Sequence, residues 1–361
     1  MSCNNNRIGD HMAEIVEVDG KKIERRKILH IDMLNLFIRN FAVQHATNEQ
    51  GVDVGGIFGC LQSFNKFLRI HKPDVVHVAW EGKGSSKRRR EMLEQYKSSR
   101  KFSGFNKKKY KDDEKGEKES LIRQLNRLRD YIAILPFYQT SVDFLEADDT
   151  IAYCVEHIFD GPEWENVIIT TDRDYFQLVS ETTTIHRPVK TKKYKDGEIV
   201  TPEFVMDFYG IHPDNLPILK AIMGDASDEI DGIKGVGAKT AIKDFEMLES
   251  LKDGADIYTI DDILEIAQHR FEVEKKKKYA KYLDHRDLLK RNYELMQLLI
   301  PNMSLQARSV IHKTFKDIPK FKPTQFRLMI IGDSISPPKM FTWAEMYMDM
   351  KPKPIILEEK I

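Results

Sequence analysis

Three short apolar runs in the first half of the chain each stop at a carboxylate: Ile28-Leu-His-Ile-Asp32, Val75-Val-His-Val-Ala-Trp-Glu81 and Val167-Ile-Ile-Thr-Thr-Asp172. Runs of this length, rich in β-branched residues and bounded by polar segments, read as buried strands. Phe137 to Thr140 reads as another. Helical patterns lie between them; Leu121, Leu125, Leu128, Ile132 and Leu135 recur at spacings of four and three, the stripe of an amphipathic helix. Strands alternating with helices predict an α/β fold with a mainly parallel sheet. In such a sheet the carboxyl ends of the strands share one edge, and ligands bind there. With 361 residues, 41% of them hydrophobic, the chain can bury one large or two ordinary cores.

The acidic residues at that edge form a constellation. Asp32 closes the first run, Glu81 the second, and Asp172 with Asp174 the third; Glu146, Asp148 and Asp149 open the helix DDTIAYCVEHI; Asp225 and Asp228 follow in MGDASDE. Each has an ordinary reading when taken alone. An Asp after a strand caps a helix, EADD is good capping chemistry, TDRD suits a turn, and GDASDE suits a solvated loop. Random capping does not gather all nine at one edge. So many carboxylates in one place repel unless cations neutralise them. Hard divalent ions prefer oxygen ligands, and two of them about 4 Å apart can stabilise the attacking and leaving oxygens of phosphodiester hydrolysis.

Overall charge is balanced, with 57 basic and 57 acidic residues, yet Lys83 to Lys111 holds twelve basic residues against two acidic ones. Phe102, Phe105 and Tyr110 interleave with those cations, a composition that suits single-stranded nucleic acid as well as a plain solvated face. Arg88, Arg89 and Arg90 are read as solvent-facing phosphate contacts. After the last acidic pair comes Asp231-Gly-Ile-Lys-Gly-Val-Gly-Ala-Lys-Thr240. Gly232, Gly235 and Gly237 let backbone approach a phosphate, and Lys239 adds charge. The GxxGxG order between helices is not the dinucleotide fingerprint, which is GxGxxG after a strand. The ordinary alternative is a helix-to-helix turn. Cys3, Cys60 and Cys154 form no CxxC pair, and neither a signal core nor an apolar run of about 20 residues is present. A cytoplasmic setting, or host cytoplasm for a viral protein, is the expectation.

LEADDTIAYCV, ITTDRDYFQL and LKAIMGDASDEIDGIKGVGAKTA, in that order, resemble the 5′ nuclease superfamily: flap endonucleases, phage 5′ exonucleases and the 5′ nuclease domain of bacterial DNA polymerases. The phage members are closest in pattern, and the resemblance runs from about Lys27 to Pro301. It implies a PIN-like core at 27–206 with a helical arch at about 83–118, and a helix-hairpin-helix region at 207–330. Residues 1–26 are left as an N-terminal extension and 331–361 as a C-terminal tail. By the resemblance, Asp32, Glu81, Glu146 and Asp148 serve one Mg2+ and Asp172, Asp174 and Asp225 a second, with Mn2+ able to substitute. Asp149 and Asp228 act through water, and the hairpin takes K+. QYKSSR resembles the arch motif whose lysine and arginine, here Lys97 and Arg100, meet the scissile phosphate; Tyr96 is read as stacking on a base. The family's usual aspartate is Glu81 here, and the arch is lengthened near Lys107. The implied activity is a structure-selective 5′-3′ exonuclease and flap endonuclease of replication or repair, acting as a monomer on 5′-flap or branched DNA and RNA-DNA primers. A clamp or single-strand-binding protein is the partner considered for the tail, which has no recognised clamp-binding pattern. A PIN-type ribonuclease explains the acids but not the hairpin. A non-catalytic branched-DNA binder requires lost carboxylates, and none of the expected positions is neutral.

Overall fold

The computed structural model describes residues 15–18, 20–100, 103–111, 113–189, 194–252, 257–300, 302–335, 340–350, 352 and 354–355. The N-terminal extension contains an antiparallel hairpin, β1 (Ile15–Val18) with β2 (Lys21–Glu24). The central sheet has six strands: β3 (Arg26–Asp32), β4 (Val75–Trp80), β5 (Tyr138–Ser141), β6 (Trp164–Ile169), β7 (Thr183–Arg187) and β8 (Glu198–Val200). Their order is β5-β4-β3-β6-β7-β8, parallel except for β8. Every residue of β4 is buried, as expected where helices cover both faces of a parallel sheet.

Side-chain alternation assigns the two faces. Leu29, Ile31, Val76, Val78, Val167 and Ile169 pack in one cluster with α1 (Met33–Val43) and α2 (Gly55–His71). The short charged helices α3 (Lys87–Met92) and α4 (Lys107–Tyr110) follow in the basic segment, and α5 (Glu114–Ile132) returns to this face through Leu121, Leu128 and Ile132. On the other face Ala79, Ile168 and Ile185 pack with α6 (Ala147–Tyr153). The helical half joins that same cluster: α7 (Pro202–Tyr209), α8 (Leu216–Met223), α9 (Ala238–Asp244), α10 (Ile260–Glu272), α11 (Ala280–Asp284) and α12 (Arg286–Met296). Between α8 and α9 lies a two-residue antiparallel ladder, β9 (Gly224–Asp225) with β10 (Ile230–Asp231), in a region expected to be helical.

A row of buried polar groups crosses the sheet. Thr140 Oγ1 meets His77 Nε2 at 2.7 Å, His77 Nδ1 meets His30 Nδ1 at 2.9 Å, and His30 Nε2 meets Asn166 Oδ1 at 3.0 Å. One group from each of β5, β4, β3 and β6 is satisfied this way. A slip of one strand would leave buried polar atoms unpaired, at roughly 1–3 kcal/mol each, so the row opposes register errors.

The C-terminal region differs from the expected tail. After α13 (Leu305–Thr314) and α14 (Pro323–Gly332), α15 (Met340–Asp349) lies in the core beside α2. Tyr347 is fully buried, meets the rings of Phe137 and Phe326 at 5.8 and 5.6 Å, and its hydroxyl accepts from Asn65 Nδ2 at 3.1 Å. Trp343, Ala344, Tyr347 and Met350 form a helical stripe that the flanking prolines conceal in the sequence.

Candidate active site

Backbone register sets the acidic edge. Asp32 is level with Ala79 of β4, and Ile31 is level with Ile169 of β6. Glu81 and Asp172 therefore each lie two residues beyond the level of Asp32, on its two sides. Asp32 also caps α1, accepting from the Asn35 amide at 3.1 Å. Its other oxygen faces the hydroxyls of Thr170 and Tyr175, each at 3.4 Å. Burial first, with Asp172 adding repulsion, pushes the Asp32 carboxyl up to about 6. Burial, then Glu146 and Asp32, push Glu81 up to about 7.

Around these three the remaining carboxylates are held by cations. Glu146 accepts from Arg89 Nη1 and Lys97 Nζ at 2.8 Å each, from Ser86 Oγ at 2.6 Å and from the Tyr96 hydroxyl at 3.1 Å. Burial opposes its ionisation, but Arg89 and Lys97 hold it at about 2. Arg89 also reaches Asp148 at 3.5 Å and Asp149 at 2.9 Å. Burial raises Asp148 well above the usual carboxylate range despite Arg89. Asp149 closes a capping box with the Glu146 backbone at the start of α6. Across the site Lys220 Nζ bonds both Asp174 and Asp225, the latter at 2.8 Å. Asp228 pairs with Arg100 at 2.5 Å and Lys97 at 3.8 Å, and burial still leaves its carboxyl raised.

Six of the nine predicted carboxylates thus sit in ion pairs, whereas Asp32, Glu81 and Asp172 have none among the described residues. Those three end neighbouring strands, so uncompensated negative charge concentrates at the middle of the sheet edge. Among the described residues no three Asp, Glu, His or Cys side chains already stand in metal-holding geometry; lysines and arginines occupy part of the space. An all-oxygen donor set with excess negative charge nevertheless fits a hard divalent cation.

Several expectations change. Arg89 is 2% exposed, and its Nε donates to the Leu295 carbonyl at 3.1 Å, tying α3 to the end of α12; it braces the acids and is not a solvent-facing phosphate contact. Arg88 lies 3.9 Å from Asp149, and of the three only Arg90 is exposed. Tyr96, 2% exposed with its hydroxyl on Glu146, is not placed to stack on a base. The far side of the arch is fastened to the body: Tyr110 stacks on Phe41 at 6.0 Å and donates to Asp53 at 2.5 Å, and Lys109 pairs with Asp53 at 2.8 Å. Phe105 packs against the core, and Phe102 lies outside the described residues. Gly232 serves packing, since a Cβ there would stand 2.1 Å from the Met223 carbonyl carbon. Gly235 has φ 80 and open space, and Gly237, which precedes α9, faces open space as well. Lys239 is exposed beside them.

Lys220 is the residue that sequence reasoning missed. It is 7% exposed in the apolar helix LPILKAIM, and its position five residues before Asp225 was the available signal. Removing one partner of a buried ion pair leaves the other charge uncompensated, at about 3–5 kcal/mol. Arg89→Ala is therefore expected to lower stability by about that much, with a drop in Tm of several degrees. An Arg89→Ala protein melting with the wild type would show that the brace carries no stability.

The 5′-3′ exonuclease N-terminal, resolvase-like domain model matches residues 27–210. The chain is 30% identical over 218 residues to the thermostable DNA polymerase I of Thermus thermophilus, covering 60% of this chain and 23% of that protein. It is 32% identical over 243 residues to the DNA polymerase I of Bacillus subtilis, covering 64% and 25%. The chain thus spans about a quarter of the length of these curated relatives. Among solved structures it resembles the T5 D15 protein co-crystallized with metal ions, with TM-score 0.59 and 20% identity over 81% of this chain and 98% of that one. A T5 5′-exonuclease structure carries divalent metal ions, and a complex of the bacteriophage T5 D15 flap endonuclease holds DNA and metal ions. Among the described residues no helix is long and apolar enough to cross a membrane. A match that covers just over half of the chain, on a parallel sheet whose central strands all end in carboxylates, identifies it as a member of the 5′-3′ exonuclease family.

Proposed function

We propose that this protein is a metal-dependent, structure-selective 5′ nuclease that hydrolyses phosphodiester bonds in flapped, nicked or RNA-primed DNA. The observation that carries this reading is the triad Asp32, Glu81 and Asp172, without ion pairs among the described residues at the carboxyl edge of three adjacent strands, with Lys97 and Arg100 on the neighbouring carboxylates Glu146 and Asp228. Asp32, Glu81, Glu146 and Asp148 would hold one Mg2+, and Asp172, Asp174 and Asp225 another; Mn2+ would serve as well. When bound, such ions supply charge for the attacking and leaving oxygens and an activated water. Lys97 and Arg100 orient the phosphate and meet the charge that builds on it. Lys220 fixes Asp174 and Asp225, and Arg89 fixes Glu146, Asp148 and Asp149. Glu81 extends one methylene further than an aspartate, so its carboxylate reaches toward Glu146, whose charge it feels.

Gly235, Gly237 and Lys239 would meet duplex phosphate, with K+ at the hairpin. Gly235→Val with Gly237→Val is expected to weaken binding of duplex-containing substrates far more than of short single strands. Equal losses in a binding titration of the two would contradict this role. The protein is proposed to act as a monomer, with the C-terminal region, residues 331–361, as the place of contact with a clamp or single-strand-binding protein.

Metal binding should follow pH. Asp32 and Glu81 are raised to about 6 and 7, so in metal-free protein their ionisation costs stability as pH rises from the ordinary carboxylate range through 7. Ligands must be ionised to bind metal. The rise in Tm produced by Mg2+ is expected to be larger at pH 8 than at pH 6, and an equal rise at both would count against these ligands.

The direct test of the reading uses 5′-flap, nicked, single-stranded and RNA-primed substrates with and without Mg2+. Cleavage near the flap junction in Mg2+ alone is expected. Equal cutting of unstructured RNA would favour the ribonuclease alternative, and binding without cutting the scaffold one.

A further inference from the structure

The loop that carries Asp225 and Asp228 also carries Glu229, which reaches across to the segment bearing Lys97 and Arg100. One Glu229 oxygen accepts from the Ser99 amide at 2.7 Å and the Ser99 hydroxyl at 2.6 Å, and the other accepts from the Ser98 hydroxyl at 2.7 Å. Beside this contact the Lys97 amide donates to the Asp228 carbonyl at 3.2 Å, and Arg100 holds the Asp228 carboxylate at 2.5 Å. Lys97 and Glu229 both adopt left-handed backbone, with φ 50 and 60. Non-glycine residues seldom do so, and they persist there where surrounding contacts over-determine them.

We propose that Glu229 is a positioning residue: it latches Ser98 and Ser99 so that Lys97 and Arg100 are set over the strand-end carboxylates before a phosphate arrives. The inference rests on the reading above that Lys97 acts at the cleaved phosphate. Ser98 and Ser99 are exposed, so the latch contributes little to overall stability; its three hydrogen bonds converge on one carboxylate and fix a direction. On the other side of the segment Glu146 holds the Lys97 ammonium at 2.8 Å, with Arg89 and Tyr96 on that same carboxylate. Lys97 is thereby fixed at its main chain by the 228–229 loop and at its side chain by α6. Without Glu229 the segment loses its three serine hydrogen bonds to the loop and keeps the Lys97 amide and the two side-chain pairs with Asp228, and an incoming phosphate competes for those side chains. Misplacement of a reacting group by about 1 Å can cost on the order of 100-fold in rate.

The test is single-turnover cleavage of a 5′-flap at saturating enzyme. Glu229→Ala is expected to lower the rate roughly 10- to 100-fold, with Tm, flap affinity and the Mg2+ midpoint each within about twofold or unchanged. Ser98→Ala with Ser99→Ala should give the same phenotype from the other side of the contact. In a background lacking both cations, Lys97→Ala with Arg100→Ala, adding Glu229→Ala should change the rate by less than about twofold, because the latch acts through those two side chains. A Glu229→Ala rate equal to wild type, or an equal loss with and without the Lys97 and Arg100 side chains, overturns the latch and leaves the nuclease reading intact. A shifted Mg2+ midpoint also overturns it, since Glu229 would then act on the metal loop. Lys97→Ala cleaving at the wild-type rate overturns both the latch and the role given to Lys97.

Discussion

Asp172→Asn is expected to remove flap cleavage, with a loss on the order of 1,000-fold or more, while leaving DNA binding near that of the wild type. Asp172 lies three residues beyond β6, has no ion pair among the described residues, and adds to the repulsion felt by Asp32 and Asp228. Replacing it by a neutral amide removes a metal donor, and metal stabilisation of a phosphoryl transition state is worth several kcal/mol. The same change lowers the negative potential facing a phosphate, so affinity should hold or improve. Asp174→Asn is expected to combine loss of cleavage with a Lys220 ammonium held by Asp225 alone. Wild-type turnover of either variant in Mg2+, measured with binding on the same flap, would remove these residues from the metal site.

Lys97→Ala is expected to lower the single-turnover rate on a 5′-flap by about 100-fold or more, because a preorganised charge contact at a transition state is typically worth that much. Lys97 is well placed for this: its ammonium lies 2.8 Å from Glu146 and 3.8 Å from Asp228, between two groups of the acidic edge. Burial opposes its charge, yet Glu146, Asp148 and Asp228 keep it protonated. The exposed cations Lys83, Lys87 and Arg90 should behave differently. Neutralising them is expected to weaken binding and flatten its dependence on salt, with the rate at saturating enzyme little changed. Arg89 has no place in that set, since its loss would unfold the brace rather than dilute a charge field. If Lys97→Ala cleaves as fast as wild type, the segment is an electrostatic collector only.

Much of this arrangement is legible in the sequence because the central strands are buried on both faces. β4 is apolar apart from His77, whose ring is satisfied across the sheet, so Val75–Trp80 announces itself, and Glu81 marks where burial ends. The same holds for β3 with Asp32 and β6 with Asp172. Strands β7 and β8 escape because TTIHR carries polar residues that are nonetheless buried between two neighbours and EIV is only three residues long at the edge of the sheet. Charge is harder to read than apolarity, since the same side chain serves solvent or a buried partner. Arg89 differs from Arg88 and Arg90 only in which side of a short helix faces Glu146, and nothing in RRR reveals that. Tyr96 has an aromatic face suited to a base and a hydroxyl suited to a carboxylate, and the fold uses the second. Gly232 and Gly235 look alike in the sequence, but one accommodates the Met223 backbone and the other a left-handed turn in open space. In α15 the apolar stripe is short and is preceded by two prolines, a context that hides a packed helix.

Calorimetric titration of Mg2+ into DNA-free protein bears most directly on the claim that Asp32, Glu81 and Asp172 at the sheet edge are metal donors. Wild type is expected to bind, and Asp32→Asn, Glu81→Gln and Asp172→Asn each to bind at least about tenfold more weakly, the loss of one charged donor being worth more than about 1.4 kcal/mol. Lys239→Ala, remote from that edge, should titrate as wild type. An isotherm unchanged by all three neutral substitutions would contradict the account, because the uncompensated charge would then hold no metal.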